Sequence, residues 1–245
     1  MKKHIPNLIT LLNLFCGCVA VIFAVHGVFE MVALFVFLGI VFDFFDGLAA
    51  RLLNVKSELG LQLDSLADMV TSGVVPGIVM FKLLEMSFSN GWETSGTFSE
   101  GLEISNLWPL LGFIITLASG YRLAKFNVDE NQTDSFIGLP TPANALLIIS
   151  LPLILFYHNN DILNHIILNQ WFLIGLTFLS AFLLNANLPL FALKFKNWSF
   201  KGNEIRYVFL IICVILLATL KYLAVPAIIG LYILLSVATS VQGKK

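Results

Sequence analysis

The sequence predicts an all-α integral membrane protein, folded as a polytopic bundle of helices. Hydrophobic residues make up 58% of the 245 residues and only 12% are charged, whereas soluble domains average about 25% charged. The mean hydropathy of +0.89 points the same way. Because one crossing takes roughly 20 apolar residues, the chain has room for about eight helices with short loops. These figures exclude an ordinary soluble domain and a disordered chain.

Eight apolar runs account for the predicted helices. The first resembles a signal peptide, but its apolar stretch of roughly 18 residues is too long for a signal core, so we expect a retained helix. Gly27 predicts a tight turn into the second run, and Pro226 helps to separate the last two. The runs fall at residues 8–28, 31–50, 63–84, 107–124, 143–157, 171–186, 207–222 and 224–241.

The basic residues predict the orientation of the bundle. Of the 14 lysines and arginines, only Lys82 and Lys221 lie toward one side of the eight-helix arrangement. Since loops rich in Lys and Arg stay inside, we expect the other side and both termini to face the cytoplasm, with the protein in the inner membrane. Residues 87–105 are then an external loop. The cytoplasmic residues are Lys2, Lys3, Arg51, Lys56, Arg122, Lys125, Lys194, Lys196, Lys201, Arg206, Lys244 and Lys245.

Charge and cysteine content exclude other classes of function. A net charge of −1 gives no reason to expect nucleic acid as a partner. Three cysteines do not make a disulfide framework. Cys16 and Cys18 lie in one apolar run, where small buried side chains are expected rather than a metal or redox centre.

Four aspartates lie where a membrane protein should avoid charge, at the end of the second run and the start of the third. A carboxylate in a membrane helix costs several kcal/mol unless it is paired, hydrated or bound to an ion. Asp43 and Asp46 are three residues apart and Asp64 and Asp68 four apart, so each pair shares a helix face. Two antiparallel helices would bring all four together. Such a cluster of hard oxygen ligands favours Mg²⁺, or Mn²⁺ in its place; solvated interfacial acids are the alternative.

Residues between the two acidic pairs fit a phosphate-containing substrate. Gly47 and Gly60 lack side chains where a substrate or helix must approach closely. Arg51 offers a planar fork for phosphate oxygens. Each has a simpler alternative, which is helix packing for the glycines and membrane anchoring for the arginine.

Taken together, these positions resemble the signature of the CDP-alcohol phosphotransferase family. Eight specified positions match without departure, and recognisable motifs extend over roughly residues 5–145. The resemblance implies displacement of CMP from a CDP-linked lipid by an alcohol. The matching pattern is Asp43-x2-Asp46-Gly47-x2-Ala50-Arg51-x8-Gly60-x3-Asp64-x3-Asp68.

The resemblance also implies a role for each matching residue. A binuclear metal centre would be held by the first three aspartates with a share from Asp68, which would also act as general base. The first run contains a Pro-Asn-x-x-Thr stretch that is similar to a nucleotide-contacting segment of the family, although Asn7 and Thr10 could equally be plain helix-start residues. The nucleotide would be bound by Asn7, Thr10, Asp46, Gly47, Ala50, Arg51, Ser57 and Gly60.

Two further segments resemble the branch of the family that uses serine as the acceptor. They are Tyr121–Asn127 and Phe136–Ala143, although the branch usually has arginine where this chain has Lys125. Serine carries a carboxylate and an ammonium, so Arg122 could bind the first, and Asn127 or an aspartate the second. We therefore place the acceptor at Arg122, Lys125 and Asn127.

The expected reaction is phosphatidyl transfer from CDP-diacylglycerol to L-serine, releasing CMP. Glycerol 3-phosphate or an inositol phosphate are alternative acceptors, and a cation transporter is the alternative from another class. We expect a six-helix core at residues 1–186, followed by a cytoplasmic loop and two further transmembrane helices at 187–245. The resemblance implies a homodimer; Gly73 and Gly77 could serve its interface or a contact inside the chain.

Overall fold

The computed structural model describes residues 4–55, 57–88, 107–128, 136–158, 160–190 and 203–242. Ten α-helices lie in these ranges, together with one π-helix, two short 3₁₀-helices and a pair of two-residue strands. The α-helices are α1 (His4–Val25), α2 (Phe29–Leu52), α3 (Glu58–Asp68), α4 (Val75–Phe88), α5 (Ile114–Val128), α6 (Thr141–Tyr157), α7 (Asp161–Ile167), α8 (Gln170–Asn185), α9 (Glu204–Leu220) and α10 (Ala224–Gln242). The predicted all-α class is confirmed.

The first two helices form an antiparallel hairpin. Gly27 has a φ of +73°, a value that favours glycine, and α2 begins two residues later. The predicted tight turn is therefore confirmed. This hairpin is the most extensive helix pair among the described residues, and it carries Asp43 and Asp46 to the same end of the bundle as the start of α1.

The third apolar run is a single span, Glu58–Phe88, but it is not a regular helix. A π-helix, Met69–Val74, separates α3 from α4 and begins directly after Asp68. Pro76 explains the interruption, because it lacks the backbone N–H that would bond to the carbonyl of Ser72. The periodicity of the sequence predicted a continuous crossing and did not indicate this wider turn.

The core lies where α4 packs against its neighbours. Gly73 and Gly77 permit this packing: a Cβ on Gly77 would lie 2.0 Å from Oγ1 of Thr116, and a Cβ on Gly73 would lie 3.2 Å from Cβ of Ser119. Both glycines are therefore used in a contact within the chain. The largest fully buried apolar side chains belong to Val32, Met80, Leu83, Leu84, Ile115, Leu139, Ile148, Ile149, Ile154, Leu173, Leu184 and Leu190.

A short sheet ties the segment before α6 to the chain that follows α8. Strand β1 (Phe136–Ile137) pairs antiparallel with β2 (Pro189–Leu190). Next to it, Gly138 has a φ of +74°, and a Cβ there would lie 2.6 Å from the carbonyl oxygen of Leu184. Only glycine fits this close approach, which brings the loop before α6 against the end of α8.

The last two helices fold back on one another. By length alone, Glu204–Thr239 reads as one long apolar segment. The rings of Phe209 and Tyr232, however, lie with centroids 5.8 Å apart, whereas 23 residues of straight helix would separate them by about 34 Å. The backbone turns at Lys221, which has a φ of +50°. Thus α9 and α10 form a hairpin, as the sequence predicted.

Each predicted crossing coincides with helical structure. By length and composition, four segments of the described chain could span a membrane, or five if the bent α7–α8 pair is one span. One of the four, Glu204–Thr239, is divided into two helices by the α9–α10 hairpin. The exact number of crossings stays a prediction. The predicted external loop lies almost wholly within residues 89–106, which are outside the described residues. Most of the lysines predicted to be cytoplasmic are also outside the described residues.

Candidate active site

Three of the four predicted aspartates meet at one end of the α2–α3 pair. Asp43, Asp46 and Asp64 each offer a carboxylate oxygen, and these oxygens all lie within 4.8 Å of one another. Asp46 is 6% exposed, and the other two are half-buried. The helical spacing of the sequence places the two acids of α2 on one face, and antiparallel packing places Asp64 opposite them. The predicted convergence of these three residues is confirmed.

The cluster has the chemistry of a divalent-cation site. Three carboxylates so close together repel one another unless a cation neutralises them. In addition, Oδ1 of Asp64 is buried and has no hydrogen-bond partner among the described residues, as expected of an oxygen that is free to bind a metal. Oxygen-only ligands fit Mg²⁺ or Mn²⁺. The residues present therefore fit the metal dependence that the resemblance implies.

The fourth aspartate, Asp68, is not one of the three whose oxygens lie within 4.8 Å of one another. Asp68 lies close enough to Asp43 and Asp64 for their charges to interact, but its Oδ1 accepts a hydrogen bond of 3.3 Å from Nδ2 of Asn13. Asp46 is also held from α1, since its Oδ2 accepts a 2.6 Å hydrogen bond from Oγ1 of Thr10. Helix α1 thus positions one carboxylate from each of the other two helices.

A pocket of about 520 Å³ opens beside the carboxylates. Its walls come from the start of α1, the end of α2 and the start of α3, so three helix ends meet around it. Eight of the twelve lining residues were predicted to bind the nucleotide or the metal. The lining comprises Pro6, Asn7, Thr10, Asp46, Gly47, Ala50, Val55, Ser57, Glu58, Gly60, Leu61 and Asp64.

The two glycines of the signature have different surroundings. A Cβ on Gly47 would meet nothing within 4 Å, so this position leaves room in the pocket. A Cβ on Gly60 would lie 2.9 Å from Oγ of Ser57 and 3.2 Å from Oδ1 of Asn7, so Gly60 allows close packing. Ser57 also caps α3 by accepting a 3.0 Å hydrogen bond from the Gly60 N–H. Arg51 is exposed and is not part of the pocket lining.

The predicted acceptor residues occupy three different environments. Arg122 lies near Asp68, whose charge interacts with it, and its Nη2 donates a 3.4 Å hydrogen bond to the carbonyl of Gly138. Asn127 reaches α3, where its Oδ1 accepts a 3.1 Å hydrogen bond from Oγ of Ser65. Lys125 is exposed. Two of the three residues thus approach the acidic helix α3.

Two polar residues of the site were not predicted. Asn13 is fully buried, and Thr71 is 1% exposed and donates a 2.8 Å hydrogen bond to Oδ1 of Asn13. A signal was present for the first: Asn7, Thr10 and Asn13 follow at intervals of three and so share a helix face. A signal was present for Thr71 too, since it follows Asp68 by three residues and Asp64 by seven, spacings that predict one shared helix face.

Comparison with known proteins agrees with this geometry. Residues 3–183 match the family model described as CDP-alcohol phosphatidyltransferase. The chain is similar to CDP-diacylglycerol–serine O-phosphatidyltransferases from several organisms. It is 32% identical to that of Bacillus subtilis (strain 168) over 153 residues, which cover 61% of this chain and 75% of the relative.

Proteins of the same name from two other organisms are also similar. The Helicobacter pylori (strain J99) protein is 34% identical over 146 residues, covering 59% of this chain and 55% of the relative. The Saccharomyces cerevisiae protein is 34% identical over 164 residues, covering 60% of this chain and 53% of the relative. The match thus spans little more than half the length of these two relatives. Since the family model covers well over half of this sequence and includes all four aspartates, the chain belongs to the CDP-alcohol phosphatidyltransferase family, whose members are membrane-embedded enzymes.

Proposed function

We propose that this enzyme transfers the phosphatidyl group of CDP-diacylglycerol to the hydroxyl of L-serine, forming phosphatidylserine and CMP. The observation that carries this proposal is the group of three carboxylates, two of which, Asp46 and Asp64, line the 520 Å³ pocket. The names of the relatives support serine as the acceptor.

The pocket is suited to the cytidine nucleotide. Asn7, Ser57 and Thr10 line it with polar groups, and the open space beside Gly47 admits a ligand without steric conflict. Arg51 lies on the last turn of α2, next in sequence to the lining residue Ala50, and we propose that its guanidinium binds a phosphate oxygen of the nucleotide. Ala50 contributes a small apolar wall. We assign CDP binding to these residues together with Asp46 and Gly60.

The carboxylates of Asp43, Asp46 and Asp64 are proposed to hold Mg²⁺ or Mn²⁺, with two ions in the full site and Asp68 sharing in it. When bound there, such cations would supply positive charge that neutralises the diphosphate and stabilises the CMP leaving group. The hydrogen bond from Thr10 restrains the Asp46 carboxylate within the cluster.

Asp68 is proposed as the general base. The serine Oγ attacks the phosphorus that bears diacylglycerol, its proton passes to a carboxylate oxygen of Asp68, and the bond to the CMP oxygen breaks with its electron pair. Arg122 lies beside Asp68 and is placed to bind the serine carboxylate. Asn127 would complete the acceptor site, and Lys125 would add positive charge at the rim.

We also propose that the active site and both termini face the cytoplasm, that residues 1–186 form the catalytic core, and that the enzyme is a homodimer. The family match, which ends at residue 183, supports the core boundary. Gly73 and Gly77 pack against α5 and the turn that precedes it, so we expect a dimer interface to use other surfaces.

An acceptor assay tests the central proposal. Purified protein is supplied with CDP-diacylglycerol and Mn²⁺, and with L-serine, glycerol 3-phosphate or an inositol phosphate in parallel. CMP release should depend on serine, and the lipid product should carry a primary amine. The Asp64→Asn variant serves as the inactive control. CMP release that depends on glycerol 3-phosphate and ignores serine would contradict the proposed acceptor.

A further inference from the structure

We infer that Asn13 is a positioning residue for the reaction, one that fixes which oxygen of Asp68 is available to take the proton of the acceptor. The inference rests on the proposed role of Asp68. Asn13 lies in the middle of α1, within an otherwise apolar stretch, and has no exposed surface. Burial of an amide is costly without partners, so its two polar atoms must be satisfied inside the protein.

Both ends of the Asn13 amide are engaged. Nδ2 donates to Oδ1 of Asp68 at 3.3 Å, and Oδ1 accepts from Oγ1 of Thr71 at 2.8 Å. The Thr71 hydroxyl also lies 3.3 Å from the backbone oxygen of Asn13. A chain of hydrogen bonds therefore runs from the π-helix through α1 to the carboxylate of Asp68.

The chemistry of Thr71, Asn13 and Asp68 determines which group donates and which accepts in this series of hydrogen bonds. The opposite orientation of the Asn13 amide would put its oxygen against a carboxylate oxygen of Asp68, and two acceptors repel. With the amide nitrogen facing Asp68, the amide oxygen needs a donor, and the hydroxyl of Thr71 supplies it. The arrangement satisfies every buried polar atom of Asn13.

The backbone is shaped to admit this network. A Cβ on Gly17 would lie 2.5 Å from Oγ1 of Thr71, and a Cβ on Gly39 would lie 2.7 Å from its Cγ2 and 2.8 Å from Oδ1 of Asn13. Two glycines on different helices therefore form the slot that holds Thr71. The π-helix begins immediately after Asp68, so the same irregular turn brings Thr71 to Asn13.

The consequence concerns the two oxygens of Asp68. Oδ1 already accepts an N–H donor, which lowers its basicity, so Oδ2 is the oxygen better able to accept the hydroxyl proton of the acceptor. Arg122, on α5, lies near the same carboxylate. Without Asn13, the carboxylate of Asp68 could rotate about its Cβ–Cγ bond. Oδ2 would then face the acceptor hydroxyl for only part of the time.

Four variants test the inference. Asn13→Leu keeps the volume and removes both hydrogen bonds, Thr71→Val removes only the hydroxyl, and Thr71→Ser keeps the hydroxyl. Thr177→Val is the matched control, because Thr177 is also fully buried and, within the described residues, its hydroxyl donates to its own helix, at the carbonyl of Leu173. For each purified variant we measure kcat and KM for serine, CMP binding, and Mn²⁺ binding by electron paramagnetic resonance.

A positioning role predicts a loss in kcat alone. Asn13→Leu should lose about 10- to 100-fold in kcat and Thr71→Val about 3- to 10-fold, the range for a charged and a neutral hydrogen bond. Thr71→Ser and Thr177→Val should stay within about twofold of the wild type. The number of CMP and Mn²⁺ sites per protein should be unchanged in all four.

Two results would overturn the inference. One is that Asn13→Leu and the wild type have the same kcat when kcat is expressed per CMP-binding site. A purely structural role would give this result, because it would lower the number of competent sites and leave the kcat of each site unchanged. The other is an equal loss in Thr71→Ser and Thr71→Val. If the wild type uses glycerol 3-phosphate instead of serine, the proposed function fails, and the same ratios measured with that acceptor still decide the role of Asn13.

Discussion

The hydroxyl of Thr10 donates a 2.6 Å hydrogen bond to Oδ2 of Asp46, and this bond joins the first helix to the acidic face of the second. Both residues are nearly buried, at 3% and 6% exposure, and both line the pocket. Since a hydrogen bond to a carboxylate is stronger than one between neutral groups, Thr10 is a main determinant of how Asp46 is presented.

Removal of this hydroxyl should weaken catalysis without unfolding the protein. We expect Thr10→Val to lose about 10-fold or more in kcat/KM, since a hydrogen bond to a charged group contributes about 1.5–3 kcal/mol. Thr10→Ser keeps the donor and should retain most of the activity. CMP release measured on both variants checks this, and equal activity of the two would contradict a role for the hydrogen bond.

Replacement of the clustered aspartates should abolish metal binding and turnover together. Asp43→Asn, Asp46→Asn and Asp64→Asn each remove one anionic ligand, so we expect roughly a 100-fold or greater loss of CMP release and weaker Mn²⁺ binding by electron paramagnetic resonance. Asp161→Asn, an exposed acid at the start of α7, is the control and should behave as the wild type. Chelation should silence the wild type, and added Mg²⁺ or Mn²⁺ should restore it. Substantial activity in two of the three cluster variants would refute a shared site.

Arg122 should act on the acceptor and not on the nucleotide. If its guanidinium binds the serine carboxylate, Arg122→Ala should raise KM for serine, or lower kcat/KM for serine, by about 10- to 150-fold. KM for CDP-diacylglycerol should change little. Arg122→Lys should recover only part of the loss, because an ammonium lacks the planar fork. An unchanged serine dependence in Arg122→Ala would show that this residue only braces the loop at Gly138.

Two glycines allow a test of the helix packing. A Cβ on Gly112 would lie 2.5 Å from the backbone N of Phe81 and 3.0 Å from the carbonyl carbon of Met80, and backbone atoms cannot move aside as side chains do. We expect Gly112→Ala to destabilise the fold by about 1–3 kcal/mol through overpacking. At Gly175 a Cβ would meet nothing within 4 Å, so Gly175→Ala should change stability by less than about 0.5 kcal/mol. Unfolding in detergent measures both, and equal stabilities would contradict this packing.

The orientation of the protein can be tested by labelling in intact cells. We expect a single reporter cysteine near Gly96 to react with a membrane-impermeant reagent and one near Gly202 to be protected, because basic residues mark the inner side. The background is a chain without Cys16, Cys18 and Cys213. Labelling at Gly202 and protection at Gly96 would reverse the topology.

The helical class and the acidic site were both predictable from the sequence. Long apolar runs cannot be accommodated in water, so hydropathy alone predicts a membrane bundle. The spacing of the aspartates at three and four residues decides that each pair shares a face, and the high cost of unpaired charge in the membrane forces the two faces together. These rules are local, and one sequence suffices for them.

Only the tertiary structure decided how the helix faces meet. Periodicity assigns a residue to a face but does not give the axial register between helices, which depends on close approaches such as those at Gly17 and Gly39. That register bonds Asp68 to Asn13, and it brings Arg122 to Asp68 while Lys125 remains exposed. The π-helix after Asp68 was not predicted, because a local change in helix winding leaves no periodic signal in the sequence.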